Sequence, residues 1–239
     1  MRRSKVIKAL NAIAAAVFVN GICFWATPAL AQNQIQQKVA EIRQLMIVNK
    51  QQLSRYTWQM QETVSVSGDV KTENLYQVQL GPDGQQFRTL IAQPVAPQSG
   101  GRRHGIKHRM REDFAQYAQQ VGALAKSYSQ LNPGKIQQLY AQGSVSVRSG
   151  GAPGYAAIVI SNYLKPSDSI VLTISEKPKA LYSINVSSYL SGPSDAVTMQ
   201  VRYAALPDGT HYASTTTVNG QTKNLTIVDQ STNFALRSQ

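Results

Sequence analysis

Residues 56–67 read Tyr56-Thr57-Trp58-Gln59-Met60-Gln61-Glu62-Thr63-Val64-Ser65-Val66-Ser67, and their alternation decides the fold class. Tyr56, Trp58, Met60, Val64 and Val66 point one way; Thr57, Gln59, Gln61, Thr63, Ser65 and Ser67 point the other. Side chains alternate across a strand, so period two predicts a half-buried strand with one wet face. Ser67-Gly68-Asp69 turns the chain, and Val70–Leu80 returns with Tyr76, Val78 and Leu80 on one face. Gly81-Pro82-Asp83-Gly84 is a strong turn signal, and a third strand is predicted over Gln85–Ile91. These three make an antiparallel meander. Tyr56, Trp58, Met60, Tyr76 and Phe87 are expected to line one of its faces.

Upstream, Ile35, Val39, Ile42, Met46 and Leu53 recur at helical spacing, which predicts a helix over Gln32–Ser54. Downstream, the polar, Pro- and Gly-rich stretch Ala92–Gly105 reads as a loop. Met110, Phe114, Tyr117, Val121, Leu124, Tyr128 and Leu131 then form the cleanest helical stripe in the chain. Asn132 as cap and Pro133 at the first position start a third helix, which Gly143 ends. Seven strands follow, at about 144–148, 155–163, 169–175, 180–190, 196–205, 211–218 and 222–228, with Asn219-Gly220 as the best hairpin signal. Helices must bury their stripes against an apolar face. The fold class is therefore α+β: a large curved antiparallel sheet, an unclosed β-barrel, covered on its concave face by about three helices.

That order resembles the periplasmic lipoprotein carriers LolA and LolB. The resemblance lies in the helix Gln32–Ser54 leading into Tyr56-Thr57-Trp58-Gln59-Met60, in the hairpin Val64–Val70 and in the turn Gly81-Pro82-Asp83-Gly84. It continues in Tyr163-Leu164-Lys165-Pro166-Ser167-Asp168-Ser169 and Tyr203-Ala204-Ala205-Leu206-Pro207-Asp208-Gly209-Thr210. It implies an apolar cavity between sheet and helices. The expected function is a non-enzymatic carrier or binder of a lipid or of lipoprotein acyl chains. Tyr56, Trp58, Met60, Tyr76, Phe87, Phe114 and Tyr117 are the expected ligand-binding residues, although the same side chains would also make an ordinary core.

The amino terminus gives the address. Arg2, Arg3, Lys5 and Lys8 precede an apolar run from Ala9 to Trp25, and Ala29-Leu30-Ala31 precedes Gln32. Basic, apolar and small-x-small regions in that order form a secretory signal, cleaved after Ala31. The chain then divides into a signal peptide, residues 1–31, and a single domain, residues 32–239, in the periplasm or secreted. Ile22 before Cys23 argues against lipidation there. Cys23 is the one cysteine of the chain, so the exported part has neither disulfide nor thiol nucleophile. Losing the four signal-peptide cations takes the net charge from +12 to +8, which favours anionic partners.

The charge concentrates at Arg102, Arg103, Lys107, Arg109 and Arg111. Cations at a helix start oppose the macrodipole, so this segment is a candidate dock for an anionic membrane surface or an acidic partner protein. It lacks interleaved aromatics for stacking bases, and no nucleic-acid partner is expected. His104 and His108 have a metal-ligand spacing, but Gly105 is expected to interrupt the helix, and the surrounding cations oppose a divalent ion. Glu112 and Asp113 are expected to stabilise the helix N-terminus, and Asp83, Asp168 and Asp208 to serve turns. No Gly-x-Ser-x-Gly elbow or phosphate-cradling loop appears. No cofactor or metal is expected, and the chain is expected to be a monomer. Two alternatives stay open: an interaction module binding an anionic envelope partner through residues 102–111, and an enzyme using His211 beside acidic residues.

Overall fold

The computed structural model describes residues 37, 40, 44–82, 84–93, 104–129 and 131–237. Residues 1–36, which hold the segment read as a signal peptide, lie outside the described residues, as do Arg102 and Arg103.

A helix over residues 44–53, α1, leads into three strands: β1 (Tyr56–Val66), β2 (Asp69–Leu80) and β3 (Gln86–Ala92). The first hairpin closes tightly, with Val66 opposite Asp69. Ser67 (φ 52°) and Gly68 (φ 86°) both take positive φ, the requirement of a type I′ turn whose twist matches the strands. Two helices follow, α2 (His104–Ser129) and α3 (Pro133–Ala141). The Asn132 side chain accepts from the Lys135 amide at 3.1 Å and caps α3. Seven strands complete the chain: β4 (Val145–Ser149), β5 (Tyr155–Ser161), β6 (Ser169–Glu176), β7 (Lys179–Tyr189), β8 (Ala196–Ala205), β9 (His211–Gly220) and β10 (Leu225–Leu236).

All ten strands form one antiparallel sheet in the order β3-β2-β1-β10-β9-β8-β7-β6-β5-β4. The sheet does not close: β3 and β4 are its two edges. The two meanders join because β1 pairs with β10 from Tyr56↔Leu236 to Val66↔Leu225. The chain must then pass from one edge to the other between β3 and β4. Nine strand spacings amount to about 43 Å in a flat sheet. Helix α2, 26 residues long, spans about 39 Å and lies over β9 along that route. The helices share one face. Tyr117 of α2 sits over Gly220 of β9, α3 packs on β4 and β5, and Leu53 of α1 packs on Trp58, Met60, Val78 and Leu80.

Three local expectations are corrected. Helix α2 begins at His104, so Gly105 lies inside it rather than in a loop, and Glu112 and Asp113 fall past its first turn. The first turn of α2 holds no acidic residue, and Tyr117 and Tyr128 tie the helix to the sheet. Asn219-Gly220 is not a turn: both belong to β9, and the chain reverses over residues 221–224. A Cβ on Gly220 would stand 2.8 Å from the Tyr117 hydroxyl, so the glycine answers the close approach of α2. Strand β10 runs on to Leu236, well past the expected end at 228, because β1 supplies a partner along its whole length.

Candidate functional site

The inner face is read from the cross-strand register, since directly paired residues share a face. One row runs Val218, Met199, Val186, Ile170, Ile160 and Val145 across β9 to β4, all buried and all apolar. The neighbouring row changes character part-way. From β4 it runs Val147, Ile158, Leu172, Ile184 and Val201, then Thr216, Asp229, Glu62 and Asn74. The helix-covered face thus carries a polar patch on β9, β10, β1 and β2.

Arg88 of β3 joins that patch. Its guanidinium lies 3.4 Å from Asp229 and 3.8 Å from Glu62, and it also donates to Gln86. Strands β3 and β10 are three positions apart in the sheet, about 14 Å when flat. Arg88 and Asp229 meet because the sheet curls and both stand on its concave side. Asn74 donates to Glu62 and to the Tyr76 hydroxyl, both at 3.2 Å, and that hydroxyl donates to Glu62 at 3.4 Å. Asp229 is 17 % exposed. Burial pushes its carboxyl up to about 6; Arg88 pulls it back and the Glu62 charge adds to the rise. Burial, then Glu62, likewise raises the Tyr76 phenol and keeps it protonated. Asn74 is 9 % exposed. Its Oδ1, like Oδ1 of Asp229, is buried without a hydrogen-bond donor among the described residues.

An apolar wall adjoins this patch. Trp58, Met60, Val78 and Leu80 are buried together, with Leu53, Tyr76 and Phe234 packed around them. The Trp58 ring stacks on Phe234 at 5.5 Å between centroids, and Phe234 also meets Tyr212 at 4.2 Å. Tyr76 belongs to both groups, its ring in the wall and its hydroxyl on Glu62. The inner face here is amphipathic, apolar and covered by Leu53 and Phe234 at one end, and rich in hydrogen-bond acceptors at the other.

The structure sorts the expected ligand residues. It brings Trp58, Met60 and Tyr76 together in the wall. Tyr56 lies at its rim, edge-on to Phe234, with its hydroxyl donating to Asp208 at 2.7 Å. Phe87 is corrected. The register pairs Phe87 with Gln79, whereas Val78 pairs with Arg88, so Phe87 stands on the opposite face, 54 % exposed. There it lines an open hollow of about 340 Å³ with Ser54, Gln79, Leu80, Gly81, Pro82 and Arg237. Phe114 is half-buried on α2. Tyr117 is buried against Gly220 and donates to Asp195 at 3.0 Å, which ties α2 to the loop between β7 and β8. The backbone at Lys107, Arg109 and Arg111 is helical, and their side chains lie outside the described residues.

Two other polar expectations resolve as architecture. Asp168 is fully buried and accepts from the amides of Tyr163, Leu164 and Lys165 and from the Tyr128 hydroxyl. It builds its turn, as expected, and also anchors α2. His211 exchanges two backbone hydrogen bonds with the Asn49 side chain, each 2.6 Å, which fastens α1 to the start of β9. Among the described residues no three His, Cys, Asp or Glu side chains are grouped to hold a metal ion, and no described helix is long and apolar enough to cross a membrane.

The fold and this face define a class: an open antiparallel sheet whose concave side is covered by helices and carries an amphipathic surface. The chain is similar to a LolA superfamily protein from Nitrosomonas europaea, with a TM-score of 0.40 and 10% identity over 83% of this chain and 94% of that one. It is also similar to a DUF1329 family protein from Desulfovibrio piger, with a TM-score of 0.37 and 12% identity over 79% and 89%. Both are distant likenesses. No family model and no curated protein matches the chain. What this chain binds has to be argued from its own residues.

Proposed function

We propose that this protein is an exported, non-enzymatic carrier or binder of an apolar or acylated ligand in the cell envelope. Residues 1–31 direct export and are removed after Ala31, and residues 32–239 fold as one domain. The observation that carries the reading is the amphipathic inner face. A plain core wants apolar residues throughout, because burying charge is costly. Here three charged side chains share the helix-covered face with the Trp58–Met60–Val78–Leu80 wall. That division matches a molecule with an apolar chain and a polar end. Each methylene buried against the wall contributes about 0.8 kcal/mol. Release follows when α1 and α2 shift on the sheet. The basic segment Arg102, Arg103, Lys107, Arg109 and Arg111 docks the loaded protein on an anionic membrane surface or an acidic partner.

The test is native mass spectrometry of the protein purified from the periplasm of an expressing host, with solvent extraction of the same sample. The expected result is a chain beginning at Gln32 with a discrete added mass that extracts as a lipid. A clean apo mass, with no uptake of an apolar fluorescent probe, would overturn the carrier reading.

A further inference from the structure

The polar end of the inner face has an excess of acceptors over donors. Glu62 and Asp229 bring two carboxylates, and Asn74 brings a carbonyl oxygen. Arg88 is the one cation facing them among the described residues, and it is shared between both carboxylates at 3.4 and 3.8 Å. It comes from the edge strand β3, and its side chain is 38 % exposed. Two of the acceptors, Asn74 Oδ1 and Asp229 Oδ1, are buried with no donor among the described residues. A buried acceptor left unpaired costs about 1–3 kcal/mol, so the patch is arranged for a group that brings donors with it. With all three side chains ionised the patch carries one net negative charge. A primary ammonium answers both needs, because it has three N–H donors, no acceptor and one positive charge.

We infer that Glu62, Asn74 and Asp229 form a headgroup site for an amphiphile that ends in a primary ammonium, its chain reaching the Trp58–Met60–Val78–Leu80 wall when Leu53 of α1 moves off it. This rests on the carrier reading and deepens it by naming the polar end of the cargo. Tyr76 joins wall and headgroup site, since its ring touches one and its hydroxyl the other. Arg88 acts as the internal cation of the empty site and gives way on the edge strand when the ammonium enters.

The test is calorimetric titration of the full chain at pH 7.5 with dodecylammonium, dodecyltrimethylammonium, dodecanoate and ethylammonium, each below its micelle concentration. The chain carries a net charge of +12, so bulk attraction favours dodecanoate, and a preference for the cation has to come from a local site. Dodecylammonium is expected to bind about tenfold tighter than dodecanoate or the trimethyl compound, which has the charge without the N–H donors. Glu62→Gln with Asp229→Asn is expected to abolish the preference and leave dodecanoate binding no weaker. Arg88→Gln, at an exposed edge, is expected to tighten dodecylammonium binding by removing its competitor. Equal binding of the three long-chain compounds, or a preference that survives the double substitution, overturns the headgroup site and leaves the apolar wall standing. Ethylammonium binding as tightly as dodecylammonium overturns the amphiphile in favour of a free amine. No binding by any long-chain compound sinks the carrier reading itself.

Discussion

Replacing Asp229 by Asn should make the protein more stable at neutral pH and leave it nearly unchanged in acid. Asp229 has a folded-state pKa of about 6 against an ordinary 3.8, with burial as the largest cause. Among the described residues, Arg88 on β3 and Glu62 on β1 are the charged groups that act on it, and the Tyr76 hydroxyl on β2 bonds Glu62 beside it. A raised pKa means that the folded state holds the proton more tightly than the unfolded chain. The associated stability is fully present below about pH 4 and is lost as pH rises through about 6. Two pKa units correspond to about 3 kcal/mol. Asparagine imitates the protonated acid at every pH, so Asp229→Asn recovers up to about 3 kcal/mol at pH 8 and almost none at pH 4. In urea denaturation followed by circular dichroism, that gain appears as a midpoint shift of roughly 1 M at pH 8. A variant less stable than the parent at pH 8, or one equally stabilised at pH 4 and pH 8, would refute the placement of Asp229 in an acceptor-rich, desolvated site. A gain at the expense of ligand binding is the pattern expected where a site gives up stability for function.

Three further outcomes follow from the same packing. Trp58 is the only tryptophan of residues 32–239, and its emission should shift on adding a long-chain amphiphile; an unchanged spectrum under saturating ligand counts against the wall as the binding surface. Gly220→Ala should cost about 1–3 kcal/mol, because the new Cβ meets Tyr117. Tyr117→Leu in the same chain should recover part of that loss, and strict additivity of the two in thermal melts would disprove the contact. Asp168→Ala strands three backbone amides and takes from the Tyr128 hydroxyl one of its two partners. At about 1–3 kcal/mol each, it should unfold the protein or lower its melting temperature by more than 10 °C, and a small shift would contradict the burial of that turn.

Much of the architecture was legible in the chain. Period two over 56–67 and helical spacing over 110–131 report which side of an element is apolar, and that depends only on backbone geometry. The turn at Ser67-Gly68 and the cap at Asn132 were legible for the same reason, since each needs a special φ or a local acceptor. The candidate site was half legible. Trp58 and Met60 stood out as apolar, whereas Glu62, at the next inward position, was passed over. A charged residue in the apolar register of a strand was the available signal. Phe87 was assigned by its apolar nature, but face follows register, and register is set by the pairing of β2 with β3.

The sequence by itself determined the helices, the two meanders and, β3 apart, the side of each strand that turns inward, because these follow from interactions a few residues apart. Only the tertiary structure decided that β1 pairs with β10, that α2 lies over β9, and that Asn219-Gly220 stays extended beneath Tyr117. It also brought Arg88 to Asp229, 141 residues further along the chain. A single chain carries no local mark of which strand lies beside which; that is fixed when the sheet curls and the helices cover it, and the acceptor-rich site exists only in that arrangement.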